Sequence, residues 1–216
     1  MTTRIVYQQE LKNLNKAVLE MSRELQAAIT ETVSALQTMD AAKAREIMKN
    51  DDKIDTIERT IETTCIELIS KQAPIAGDLR SISSYMRMIA DIERIADHCS
   101  DISEYIVQLS EEKEIPMPDG VCEMISEMRL MSEMVITSFI ESDYEKAAMV
   151  IKHDDIVDDY FEKIKQELGY AMKHNPDRIF AYIDYLMIIK YVERMADHCT
   201  NLAHWVQFII SGQLEL

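Results

Sequence analysis

Carboxylates recur in this sequence at a spacing that suits cation binding. Asp51 and Asp55 stand four residues apart, as do Glu93 and Asp97, with Asp101 four further on. The arrangement returns as Asp154 and Asp158, and as Glu193 and Asp197 followed by Asn201. On a helix, residues i and i+4 share a face one turn apart. Like charges placed so disfavour the helix, and convergence of four carboxylates costs more. A hard cation held between the oxygens removes that cost. An oxygen-only ligand set selects magnesium, calcium, manganese or ferric iron over zinc or copper. The competing reading is a solvated acidic face, with Arg94 and Arg194 neutralising Asp97 and Asp197 three residues on. A single D-x-x-x-D favours the solvated face; four of them, in duplicate, favour the cation.

Helices must position these groups. Apolar residues recur at spacings of three and four almost from end to end. Tyr85, Ile89, Ile92, Ala96, Cys99, Ser103 and Ile106 make one inward stripe, and Tyr185, Ile189, Val192, Ala196, Cys199 and Ala203 make its counterpart. Glu93, Asp97 and Asp101 start about 100° round from Ile92, on the flank. Asp51 and Asp55 flank a second stripe of Ile47, Ile54, Ile57, Ile61 and Leu68; Asp154 and Asp158 flank Val150, Val157, Ile164 and Leu168. Counted from the intervening turns near Ile75 and Asn175, the acidic pairs of neighbouring antiparallel helices are level, so both flanks can line one groove.

The breaks are few. Asp40 and Asp143 are expected N-caps, and Asp78 a third cap candidate after the turn Lys71 to Gly77. Ile115-Pro-Met-Pro-Asp-Gly120 is the best interior boundary, and His174-Asn175-Pro176 closes one helix and opens the next. These breaks predict six helices of roughly 25–35 residues. The pattern is an internal duplication. Asp51, Asp55 and Asp40 map onto Asp154, Asp158 and Asp143 at an offset of 103, and the string E-R-x-A-D-H-C starts at both Glu93 and Glu193, an offset of 100. The reading is an all-α chain of two tandem three-helix bundles, residues 1–114 and 121–216, joined by a linker at 115–120.

Composition agrees and removes other classes. Glycine and proline number 4 each in 216 residues, far below the roughly 12% combined average, so a turn-rich β or α/β fold is excluded. With 23 Lys+Arg against 39 Asp+Glu the net charge is −16, which repels nucleic acid and anionic lipid. Four cysteines without CxxC spacing suit a reduced, cytoplasmic protein, and no apolar run reads as a membrane span or a signal peptide. No nucleophile triad or glycine-rich phosphate loop appears. A ferritin-like di-iron oxidase places Glu-x-x-His toward the bundle interior, whereas Glu-x-x-x-Asp here faces outward. His98 and His198 lie about 140° round from their glutamates and read as interface histidines. Cys99, Cys199, the methionines, Tyr85, Tyr182, Tyr185 and Phe180 read as core.

The doubled D-x-x-x-D and E-R-x-A-D-H pattern, with Gln72-Ala-Pro-x-Ala-x-Asp78-Leu79-Arg80 ahead of the third helix, resembles the PhoU family of phosphate-transport regulators along essentially the whole chain. The resemblance implies two three-helix bundles carrying surface metal clusters. Asp51, Asp55, Glu93 and Asp97 would serve one cluster, and Asp154, Asp158, Glu193 and Asp197 the other. Asp101 and Asn201 stand where the family has a polar, ligand-like residue. His174-Asn-Pro-Asp-Arg178 departs from the family's Asp-Leu-Arg. The resemblance also implies bound iron, manganese or magnesium ahead of zinc, a cytoplasmic homodimer, and negative regulation of phosphate-starvation signalling through a phosphate ABC transporter ATPase and a sensor histidine kinase. The alternative is a metal-dependent, carboxylate-bridged hydrolase or oxidase using the same residues.

Overall fold

The computed structural model describes residues 2–50, 52–71, 75–111 and 115–213. Asp51, and Gln72 to Pro74 of the turn motif, lie outside the described residues. The helices are α1 (Thr2–Thr38), α2 (Ala41–Asn50), α3 (Asp52–Lys71), α4 (Ala76–Glu111), α5 (Val121–Glu141), α6 (Tyr144–His174) and α7 (Ile179–Ser211), with a 3₁₀ turn at Pro176–Arg178. There is no strand among the described residues. The six expected long helices are met: α2 and α3, described on either side of residue 51, take the place of the second, and α1, α4, α5, α6 and α7 are the other five.

Local chemistry sets the ends. Asp40 Oδ1 accepts from the backbone N–H groups of Ala42 and Lys43, and the Asp143 carboxylate accepts from Lys146 N–H, so both cap as the sequence predicts. Asp78 is no cap: α4 begins two residues earlier, which leaves the carboxylate in the first turn where the helix dipole favours it. Gly120 precedes α5 at φ 91°, a left-handed conformation that a side chain resists.

The predicted stripes are the core. Tyr85, Ile89, Ile92, Ala96, Cys99, Ser103 and Ile106 on α4 are buried, as are Tyr185, Ile189, Val192, Ala196, Cys199 and Ala203 on α7. α1 to α4 pack together, as do α5 to α7. The two groups are not separate: α4 and α7 share the most extensive contact in the molecule, and buried residues from both halves form a single cluster. Asp91 and His98 of α4 meet His198, while Tyr105 meets Tyr191, so α7 runs antiparallel to α4 across the seam.

Phe180 departs from expectation. It is 73% exposed rather than core, because Ala181, Tyr185 and Ile188 occupy the inward stripe where α7 begins and Phe180 is turned about 100° away from Ala181.

Candidate metal centres

In the first half, Asp55 on α3 meets Glu93 and Asp97 on α4. One carboxylate oxygen from each lies within 4.8 Å of the other two, and all three side chains are half-buried. The level register expected across the α3–α4 hairpin is therefore realised. Arginines sit at the rim: Arg94 Nη1 donates to Asp97 at 2.7 Å and its Nε lies 3.4 Å from Glu93, while Arg59 approaches Asp55 at 3.4 Å. They do not settle the charge. Burial raises Glu93 and Asp97 above the usual carboxylate range, neighbouring carboxylates add to the rise, and Arg94 offsets only part of it. A groove that holds anions at this cost is suited to a cation.

Glu58, one turn beyond Asp55 on α3, joins this group. Burial raises it, and it interacts with Glu62 and Asp55 on its own helix and with Glu93 across the groove. The i,i+4 pattern does not include it. The duplication offers a signal in reverse, since an offset of 103 pairs Glu58 with Phe161.

In the second half, Asp154 and Asp158 on α6 interact electrostatically with Glu193 and Asp197 on α7, but no three of their oxygens converge within 4.8 Å as they do in the first half. Asp154 Oδ1 is buried without a hydrogen-bond partner. Burial first, then Asp158, Asp197, Asp155 and Glu193, push its carboxyl up to about 6. Burial also raises Asp158 and Asp197, again with Glu193 close by. A buried carboxylate oxygen without a partner, on a residue that three other carboxylates repel, fits a cation there, and the all-oxygen donor set fits a hard one. Within the groove, Lys190 Nζ donates to Glu193 Oε2 at 2.6 Å. Arg194 holds the rim at 3.9 Å from Glu193 and 3.7 Å from Asp197.

Asp101 and Asn201 are engaged elsewhere. His98 Nδ1–H donates to Asp101 Oδ2 at 3.2 Å, and Asn201 Nδ2 donates to Asp91 Oδ1 at 3.4 Å across the α4–α7 seam. The same Asp91 oxygen accepts from His198 Nδ1 at 2.9 Å, and the two histidine rings are 5.7 Å apart. The histidines are interface residues, as their angle round the helix predicts. Asp101 still interacts with Asp97 through space.

A family model described as the PhoU domain matches residues 18–106 and again 121–206. The phosphate-specific transport system accessory protein PhoU homolog of Clostridium acetobutylicum is 31% identical over 212 residues, covering 98% of this chain and 97% of that protein. Crystal structures of PhoU from Pseudomonas aeruginosa and of the phosphate transport system regulatory protein PhoU from Streptococcus pneumoniae superpose with TM-scores of 0.91 and 0.89, at 28% and 26% identity. They cover 96% and 97% of this chain, and this chain spans 100% and 99% of theirs.

Proposed function

Because the chain belongs to the PhoU family, we propose that it is a non-enzymatic accessory protein of phosphate transport that restrains uptake and phosphate-starvation signalling. It acts in the cytoplasm as a homodimer, through contacts with a phosphate ABC transporter ATPase and a sensor histidine kinase. No helix among the described residues is long and apolar enough to cross a membrane, which suits a protein that docks on a transporter rather than forming its channel.

Hard cations, iron, manganese or magnesium, occupy both grooves in this reading. Asp55, Glu93 and Asp97 hold one, joined by Asp51 and Glu58; Asp154, Asp158, Glu193 and Asp197 hold the other. The bound charge neutralises the carboxylates and locks α3 to α4 and α6 to α7 at fixed register. The observation that carries this belongs to the first groove: three half-buried carboxylates from two helices converge within 4.8 Å, with burial holding two of them above their usual range, and the second groove follows from it by the duplication.

Metal content by mass spectrometry tests it, using untagged protein purified without chelator beside Asp55→Asn/Asp158→Asn. Metal in the wild type that disappears from the double variant supports the reading. Absence from both, with chelator leaving stability unchanged, makes the carboxylates a solvated acidic face.

A further inference from the structure

The two grooves are not equivalent. Superposing the halves by their sequence offsets pairs Asp55 with Asp158, Glu93 with Glu193 and Asp97 with Asp197, and both keep a rim arginine at Arg94 and Arg194. Two positions beside the grooves change together. Glu58 in the first half becomes Phe161 in the second, and Ala90 becomes Lys190. The first groove therefore carries an additional carboxylate that interacts electrostatically with Glu93 and Asp55, while the second carries an ammonium.

The lysine meets two groups at once. Its Nζ donates to Glu193, which is only 16% exposed, at 2.6 Å, and it stands 5.2 Å from the centre of the Phe161 ring. The aromatic face attracts ammonium groups, and Lys165 Nζ also stands 5.1 Å from the centre of this ring. The cations of the first groove are arginines reaching in from solvent: Arg94, 59% exposed, lies 2.7 Å from Asp97 and 3.4 Å from Glu93, whereas Lys190 is 36% exposed. The other is Arg59. It is 74% exposed and reaches Asp55 only at 3.4 Å from the solvent side. Its counterpart in the second half is Glu162, which is paired with Lys165.

We propose that Lys190 is a tethered cation occupying the second groove, so that a metal ion enters there only by displacing it from Glu193. The first groove, with Glu58 and no lysine, is the high-affinity site. The second is the weak site, filling at higher metal concentration. The inference rests on the metal-binding reading above and adds an order of filling to it. A positive charge held at Glu193 opposes an incoming divalent ion at close range in a partly desolvated groove, which weakens binding roughly ten- to a hundredfold.

Titration of the chelator-stripped full-length protein with manganese(II), reading free metal by electron paramagnetic resonance, tests this. The wild type is expected to show two classes of site, the tighter lost in Asp55→Asn and the weaker in Asp158→Asn. Lys190→Met keeps the aliphatic stem and removes the charge; it tightens the weaker class about ten- to a hundredfold and leaves the tighter class alone. Ala90→Lys, at an exposed position, weakens the tighter class in the same way. Equal sites in the wild type, or two classes indifferent to Lys190→Met and Ala90→Lys, overturn the proposal and leave the metal-binding reading standing. No manganese bound by wild type or Lys190→Met, both shown folded by circular dichroism, overturns both.

Discussion

Asp91 on α4 and His198 on α7 are joined across the seam between the two halves, with Nδ1 of the histidine 2.9 Å from Oδ1 of the aspartate and both side chains mostly buried. Asn201 donates to the same oxygen. The carboxylate thus organises two donors from the other half, at the contact where the duplicated units share their core.

Removing it should cost stability without changing the helices. Asp91→Ala leaves the half-buried His198 donor and the exposed Asn201 amide without their acceptor, so a loss of about 1 kcal/mol is expected. Urea unfolding of wild type, Asp91→Ala and Asp91→Asn measures it. Asp91→Asn, which keeps an acceptor oxygen, should fall between the two. A midpoint unmoved in Asp91→Ala would show that the seam does not depend on this bond.

Asp154 predicts a pH dependence with a definite sign. Its folded-state value, about 6, lies above the ordinary 3.8, so the folded chain binds that proton more tightly than the unfolded chain does. The carboxyl therefore costs nothing below the ordinary value and becomes destabilising as pH rises through the folded value. In metal-free protein this amounts to about 1–2 kcal/mol after solvent screening. Asp154→Asn should melt higher than wild type at about pH 7.5 and close to it at about pH 4.5, both in chelator. The same difference at both pH values would mean that the orphaned oxygen is not the source.

The thiols should separate by accessibility. Cys65, Cys99 and Cys199 are buried, with Cys65 pushed up to about 11 by burial and Cys199 raised far beyond the ordinary thiol range for the same reason. Cys122, at the start of α5, is exposed, although partial burial and Glu123 raise it too. Only the thiolate reacts, so a disulfide reagent at about pH 8 should modify one thiol of the native protein, at Cys122. Modification of four at the same rate would contradict the packing described for α4 and α7.

Two phenylalanines should behave as opposites. Phe139 is buried and meets the Tyr85 ring edge-on at 5.7 Å, so Phe139→Ala should destabilise by about 3–5 kcal/mol. Phe180 projects from the first turn of α7, so Phe180→Ser should change stability by less than about 0.5 kcal/mol. Thermal melts of the two variants decide the matter. A large loss in Phe180→Ser would place that ring in an interface.

Much of this protein is written locally in its sequence. The inward stripes of α4 and α7 are legible because burial selects apolar side chains at the helical period, and Asp40 and Asp143 are legible because a cap needs only a neighbouring backbone N–H. The doubled carboxylates announce two grooves, since four-residue spacing fixes a face whatever the tertiary context. The tertiary structure decided how those faces meet. Rotation and axial register come from the packing of whole helix surfaces, which no single spacing encodes. That packing brings Glu58 to Glu93, turns Asp101 and Asn201 toward the α4–α7 seam, and leaves Phe180 outside. It also seats Lys190 between Glu193 and Phe161, where two grooves of nearly the same sequence pattern become electrostatically different.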